Sequence, residues 1–277
     1  MKKIFCDKEF FNIEDTINCG QVFRYKEKDG GYFCFSADKC AYLYYEGEKT
    51  VITCEENDAE FFTDYFDLKR DYKAIYGRAL KEKEEIIVKS AFAGKGIRIL
   101  RQDKTETLFS FIVSQNNNIP RIKGIIERLC ESLSEKKSFM GEEYYAFPTA
   151  DKMAEKDLSF YYGIGLGYRA PFIKRLADDI ANGFKVDGLD DGHLKENLLK
   201  IYGVGDKVAD CVMLFGFSKT SAFPVDTWIE KVYREDFKGT LTDRKKIAEY
   251  FTEKFKDDSG FIQQYLFYYK RSLEKMG

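Results

Sequence analysis

The sequence predicts an α+β fold, a small N-terminal antiparallel β-sheet domain packed against a larger, mainly α-helical core. Residues 20–54 are short aromatic and β-branched runs parted by turn signals, and from about residue 56 onward the apolar residues recur at helical spacing. No low-complexity linker separates the two styles, so sheet and helices sit side by side. The expected division is 1–95 for the sheet domain with a trailing helix and 96–277 for the helical core, itself two subdomains with a hairpin at 191–217.

The expected strands are "GQVFRY" (20–25), "GGYFCFSA" (30–37), "AYLYYEG" (41–47) and "KTVITC" (49–54). "KEKDGG", "DK" and "EGEK" lie between them as turns, and such short loops imply antiparallel pairing. In "RIKGIIERLCESL", Ile122, Ile125, Ile126, Leu129, Cys130 and Leu133 share one helical face, and Pro120 suits the first turn. "APFIKRLADDIANGF" repeats the design, with Pro171 near its start, Phe172, Ile173, Leu176, Ala177 and Ile180 facing inward, and Gly183 ending it. Further helices are expected at roughly 191–201, 206–217, 226–235, 242–256 and 259–273, with Thr242 and Ser259 as caps.

The 277 residues are 44% hydrophobic and 33% charged, the balance of a soluble globular protein. A net charge of −2 argues weakly against a nucleic-acid partner, although it does not say how the 45 basic side chains are distributed. The N-terminus lacks the apolar stretch of a signal peptide, and no run approaches the roughly 18 apolar residues of a membrane span. A cytoplasmic, nucleoid-associated monomer is therefore expected if the source is prokaryotic. The seven cysteines are scattered without a CxxC pair, which reads as reduced thiols. None follows Cys211, so a four-cysteine iron–sulfur site near the C-terminus is excluded.

The chemistry centres on "IYGVGDKVADC", residues 201–211. Leu194, Leu198 and Ile201 form one apolar stripe and Val208, Cys211, Val212 and Phe215 another, joined by "GVGD". Two short helices linked by Gly-x-Gly make a hairpin, and the amides opening its second helix suit an anion such as phosphate. The same spacing also fits a purely structural turn. Lys207 falls in the first turn of that second helix, where the helix field disfavours an ammonium and favours a neutral, nucleophilic amine. Asp226 in "PVDTW" comes nineteen residues later and is placed to cap the next helix. A carboxylate held there is expected to stay ionised and so to face a developing cation.

"LLKIYGVGDKVADC" followed by "PVDTW" resembles the helix–hairpin–helix DNA glycosylase superfamily, with its catalytic lysine and downstream aspartate. "CGQVFRY", "LFSFIVSQNNNIPRIKGIIERLC", "GLGYRAPFI" and "GFIQQYLF" narrow the resemblance to 8-oxoguanine DNA glycosylase, in matching order from residue 19 to 267. The resemblance implies a bifunctional base-excision enzyme of a bacterium or archaeon, which flips 8-oxoguanine out of duplex DNA opposite cytosine. Lys207 would attack C1′, Asp226 would stabilise the oxocarbenium-like charge, and β-elimination through a Schiff base would follow. Gly20 would read the lesion's N7–H through its carbonyl, Gln263 the Watson–Crick edge, and Phe267 and Cys211 would sandwich the base. Tyr168 would wedge into the stack, Asn116, Arg121 and Arg169 would contact the partner base, and Gly203, Val204 and Gly205 would bind phosphate. No metal or cofactor is implied beyond room for a structural monovalent cation at the hairpin.

Two departures stand out. Trp228 occupies the position of a family histidine near a phosphate, and His193, the sole histidine, is expected to be exposed. Gln115 stands where relatives often have serine, a change expected to be minor. A glycosylase for another base, such as an alkylated purine, and a non-catalytic DNA-binding hairpin protein remain as alternatives.

Overall fold

A computed structural model describes residues 1–276. The chain opens with β1 (Lys2–Asp7) and α1 (Ile13–Asn18), then β2 (Tyr25–Lys28), β3 (Gly31–Ser36), β4 (Lys39–Glu46) and β5 (Lys49–Cys54). Helices α2 (Ala59–Tyr65), α3 (Tyr72–Ala79), α4 (Glu85–Ala93), α5 (Lys104–Ser114) and α6 (Ile119–Leu133) follow, then a hairpin of β6 (Lys136–Phe139) and β7 (Glu142–Tyr145). The rest is helical: α7 (Ala150–Ala154), α8 (Leu158–Gly163), α9 (Ala170–Ala181), α10 (Leu194–Leu199), α11 (Asp206–Phe215), α12 (Thr227–Glu235), α13 (Arg244–Phe255) and α14 (Ser259–Met276).

The α+β architecture is as expected, with an antiparallel five-stranded sheet in the order β1-β5-β4-β3-β2. Its details differ. The expected strand 20–25 begins only at Tyr25, because Gly20 turns the chain at φ +86° and Gln21 is engaged away from the ladder. The buried Gln21 amide donates to Thr16 O and Arg98 O at 2.9 and 2.7 Å and accepts from Leu100 N at 2.8 Å. "KEKDGG", expected to be all turn, carries most of β2 and the first residue of β3, and the turn shrinks to Asp29 and Gly30 with φ of +53° and +75°. Two positive φ angles match the right-handed twist of a tight hairpin. β1 and the β6–β7 hairpin had no clear signature, being short, polar and half exposed.

Three large apolar clusters and a small one of Phe33, Cys40 and Phe139 make the core. Sheet residues such as Leu43 and Ile52 pack on Phe62 and Phe66 near α2. A central cluster joins α5, α6, α9 and α11, and a third joins α4, α12, α13 and α14. Ala79, Ile87 and Ala91 belong to the third cluster, so helices lying before residue 95 in sequence help build the core of the C-terminal helices. Arg24 and Glu106 tie the sheet to α5 through a buried ion pair at 3.1 Å.

Most helix ends follow local chemistry. Asn118 caps α6, and Gly183 follows the last turn of α9 at φ +99°. Two expected caps move. Asp243, not Thr242, caps α13 by accepting from Lys245 N at 2.8 Å, a carboxylate being the stronger acceptor. Ser259 is the first residue of α14, and its hydroxyl donates back to Lys256 O at 2.5 Å.

Candidate active site

The hairpin fits its sequence closely. Gly203 has φ +87°, and a Cβ there would lie 2.4 Å from Cγ of Phe172, so both backbone and space demand glycine. No side chain caps α11 at Gly205, which leaves first-turn amides for an outside acceptor. Of the three residues expected to bind phosphate, Val204 is already engaged, its N–H donating to Ile201 O at 3.0 Å.

Lys207 is half-buried in the first turn of α11, its Nζ 5.4 Å from the centroid of the Phe111 ring. Its charge acts on the Cys211 thiol and on the Asp226 carboxylate across the pocket. Asp226 caps α12, and Oδ1 accepts from both Trp228 N and Ile229 N at 3.0 Å, leaving Oδ2 outside these bonds. Burial raises the Asp226 pKa, against the opposing pull of these amides and of Lys207, so its ionised form is held less firmly than a cap alone would hold it. Trp228 is half-buried beside it, and His193 is exposed with Nδ1 3.3 Å from Glu196.

One pocket, between the central cluster and the cluster of the C-terminal helices, collects Gly20, Lys207, Cys211, Asp226, Gln263 and Phe267. All the expected catalytic and base-recognition residues are therefore brought together. Gly20 packs on Phe267: a Cβ at Gly20 would sit 3.4 Å from Cε1 of that ring and 3.3 Å from Nη1 of Arg271. The cavity between these walls is small, about 40 Å³, enough for a few waters. Burial pushes the Cys211 thiol up to about 11, as suits an uncharged contact surface. Phe111, Phe215, Pro224 and Gln264 also line this pocket; α5 and the Pro224 turn reach it only through tertiary packing.

The neighbouring asparagine turn has three distinct parts. Asn116 is exposed at φ +44°, Asn117 Nδ2 donates to Val113 O at 3.1 Å, and Asn118 accepts from Arg121 N at 3.0 Å. Arg121 is exposed, with Nη2 3.3 Å from Gly165 O. Tyr168 is also exposed, its hydroxyl donating to Gln115 O at 3.1 Å. Arg169 differs from expectation. It is 2% exposed and its guanidinium donates to Gln115 O and to Asn116 O, the latter at 2.8 Å, so it braces the turn from beneath. Gln115 is not a minor change either, since its Nε2 reaches Gly203 O at 2.9 Å and links this turn to the hairpin.

A buried ion pair on the hairpin had no sequence signal. Asp210 is 4% exposed and lies 2.8 Å from Lys195 Nζ, with Asp206 at 3.8 Å from the same ammonium. Burial lifts the Asp210 pKa from 3.8 to about 6. The unfolded chain thus ionises more readily than the fold. The stability this group contributes is complete below pH 3.8 and is lost as pH rises to about 6. Asp210→Asn is expected to remove that dependence and leave the variant, above pH 6, more stable by on the order of 2 kcal/mol. Thermal melts between pH 4 and 7 check this; parallel curves for both proteins would refute it.

A glycine hairpin that delivers a lysine toward a helix-capping carboxylate defines a helix–hairpin–helix base-excision protein. The HhH-GPD superfamily base excision DNA repair protein model matches residues 109–257, and the 8-oxoguanine DNA glycosylase N-terminal domain matches residues 3–108. An 8-oxoguanine glycosylase/lyase of Clostridium acetobutylicum, solved with double-stranded DNA containing cytosine opposite 8-oxoG, is 41% identical with a TM-score of 0.90, over 96% of this chain and 93% of that one. A probable N-glycosylase/DNA lyase of Methanothermobacter thermautotrophicus is 31% identical over 74% of this chain and 72% of its own. The N-glycosylase/DNA lyase of Saccharomyces cerevisiae is 31% identical over 62% of this chain, which spans half (50%) of the yeast protein. The chain belongs to the 8-oxoguanine DNA glycosylase family of base excision repair, as a bifunctional N-glycosylase and DNA lyase.

No helix among the described residues is long and apolar enough to cross a membrane, and none of their His, Cys, Asp and Glu side chains form a group of three or more fit to hold a metal ion.

Proposed function

We propose that this enzyme excises 8-oxoguanine opposite cytosine in duplex DNA and then cleaves the abasic site, with Lys207 as nucleophile and Asp226 as its electrostatic partner. The observation that carries the reading is the convergence of Lys207 and Asp226 in a pocket walled by Gly20, Cys211, Gln263 and Phe267. Neutral Lys207 Nζ bonds to C1′ as the C1′–N9 bond breaks, and the electron pair leaves on the base, which takes a proton. Oδ2 of Asp226, in its ionised form, faces the positive charge that builds on the sugar. Opening of the sugar gives a Schiff base, which acidifies C2′–H, and loss of that proton expels the 3′ phosphate.

Phe267 and Cys211 present the two surfaces between which the extruded base lies, and Gln263 meets its Watson–Crick edge. Exposed Tyr168 fills the gap in the stack, and Asn116 and Arg121 reach the partner base. Arg169 acts through the turn it supports. The free amides at the start of α11 and the flanking Gly203 and Gly205 hold the DNA backbone, with room there for a monovalent cation. The chemistry uses only side chains, base and sugar, in a monomer acting in the cytoplasm of a prokaryote.

Borohydride trapping on duplexes tests the reading. A covalent adduct is expected with 8-oxoguanine opposite cytosine. Adducts on uracil or methyladenine duplexes alone would overturn the choice of base, and normal DNA binding with no adduct would overturn the chemistry.

A further inference from the structure

Two adjacent glutamines of α14, Gln263 and Gln264, line the base pocket, and each is 4% exposed. Their hydrogen bonds run in a direction that one backbone group dictates. The Pro224 carbonyl can only accept, so Gln263 turns Nε2 toward it, at 3.2 Å. Gln263 Oε1 must then face the other way, and Gln264 Nε2 donates to it at 2.7 Å. The chain of bonds ends on Gln264 Oε1, which is buried and has no partner. A buried orphan acceptor is costly, and an apolar side chain of the same size would avoid the cost. In a pocket wall it is complementary to a ligand that brings an N–H.

We propose that Gln264 is a base-specificity residue, whose Oε1 accepts a hydrogen bond from the 2-amino group of the extruded base. The proposal rests on the reading of this pocket as the base site. A guanine-type edge presents two neighbouring donors, N1–H and the 2-amino group. Gln263 Oε1 keeps one lone pair after accepting from Gln264, and takes N1–H, while Gln264 Oε1 takes the amino group beside it. An adenine-type edge would set the N1 lone pair against Gln263 Oε1. A hypoxanthine-type edge would satisfy Gln263 and leave Gln264 unpaired. The pair of amides therefore selects guanine-type bases, independently of how the oxidised five-membered ring is read.

Single-turnover base release by wild type, Gln264→Met and Gln264→Asn on duplexes carrying 8-oxoguanine or 8-oxohypoxanthine opposite cytosine tests this, alongside strand cleavage at a preformed abasic site. Gln264→Met is expected to release 8-oxoguanine roughly 10- to 100-fold more slowly. On 8-oxohypoxanthine, which lacks the amino group, its loss should be under about threefold, as should its loss at the abasic site, where no base is held. Gln264→Asn, whose amide oxygen is drawn back by one methylene, should show the same order of substrates. Equal losses on the two bases, an equal loss at the abasic site, or no loss on 8-oxoguanine would overturn the proposal. A wild-type enzyme that cleaves abasic sites but leaves 8-oxoguanine in place would overturn the reading of the pocket, and this proposal with it.

Discussion

Lys207→Gln is expected to abolish the borohydride-trapped adduct and to slow release of 8-oxoguanine by roughly 10⁴-fold or more, with duplex affinity changed less than about threefold. Glutamine keeps much of the length and the polarity of the side chain but has no amine to bond to C1′, so neither the substitution step nor the Schiff base can form. The backbone that grips DNA stays intact, because Gly203 and the open first turn of α11 owe nothing to the lysine side chain. Trapping gels with binding measured in parallel check this. A persistent adduct would move the nucleophile elsewhere.

Arg24→Met is expected to destabilise the fold by about 3–5 kcal/mol at pH 7, lowering Tm by on the order of 10 °C. Arg24 is 8% exposed, and its Nη1 bridges Glu106 Oε2 at 3.1 Å and Ala37 O at 3.2 Å. Methionine fills the space but strands a buried carboxylate, which keeps the Ala37 N–H at 2.7 Å and loses its cation. Burial already raises the Glu106 pKa, with Arg24 the main opposing influence, so loss of the arginine raises it further. The sign follows. A carboxylate with a raised pKa gives up stability as pH rises through that pKa, so the defect should shrink as pH falls toward 4 and the carboxyl takes up its proton. Arg24→Met combined with Glu106→Gln should recover much of the loss at pH 7. Melting curves at pH 7 and pH 4.5 measure both effects, and a single variant as stable as wild type at pH 7 would show that the pair contributes nothing.

The site was legible where its chemistry is local. Gly-x-Gly before Lys207 specifies a turn and a helix start within six residues, and Asp226 caps the helix that immediately follows it. The triple asparagine is likewise a local device, ending one helix and starting the next. The resemblance added residues far apart in sequence, Gly20 and Phe267 above all, and the fold brings these within van der Waals range. Where pattern and packing compete, reading by sequence loses. "GQVFRY" has strand composition, yet Gln21 is drawn into bonds with residues 98 and 100 and the ladder starts late. Arg169 has the chemistry of a base reader, yet its guanidinium is taken up by carbonyls of the turn above it.

The sequence by itself determined the α+β class and the hairpin, with Lys207 in the first turn of its second helix and Asp226 at the next cap, because turn geometry, helix caps and apolar periodicity depend on neighbours a few residues away. Tertiary structure alone decided that Asp210 pairs with Lys195, that Gln115 joins the asparagine turn to the hairpin, and that Pro224 orients two glutamines into an unpaired acceptor. A buried polar group takes its role from whichever partner the fold sets within about 3 Å of it, and no spacing along the chain encodes that distance.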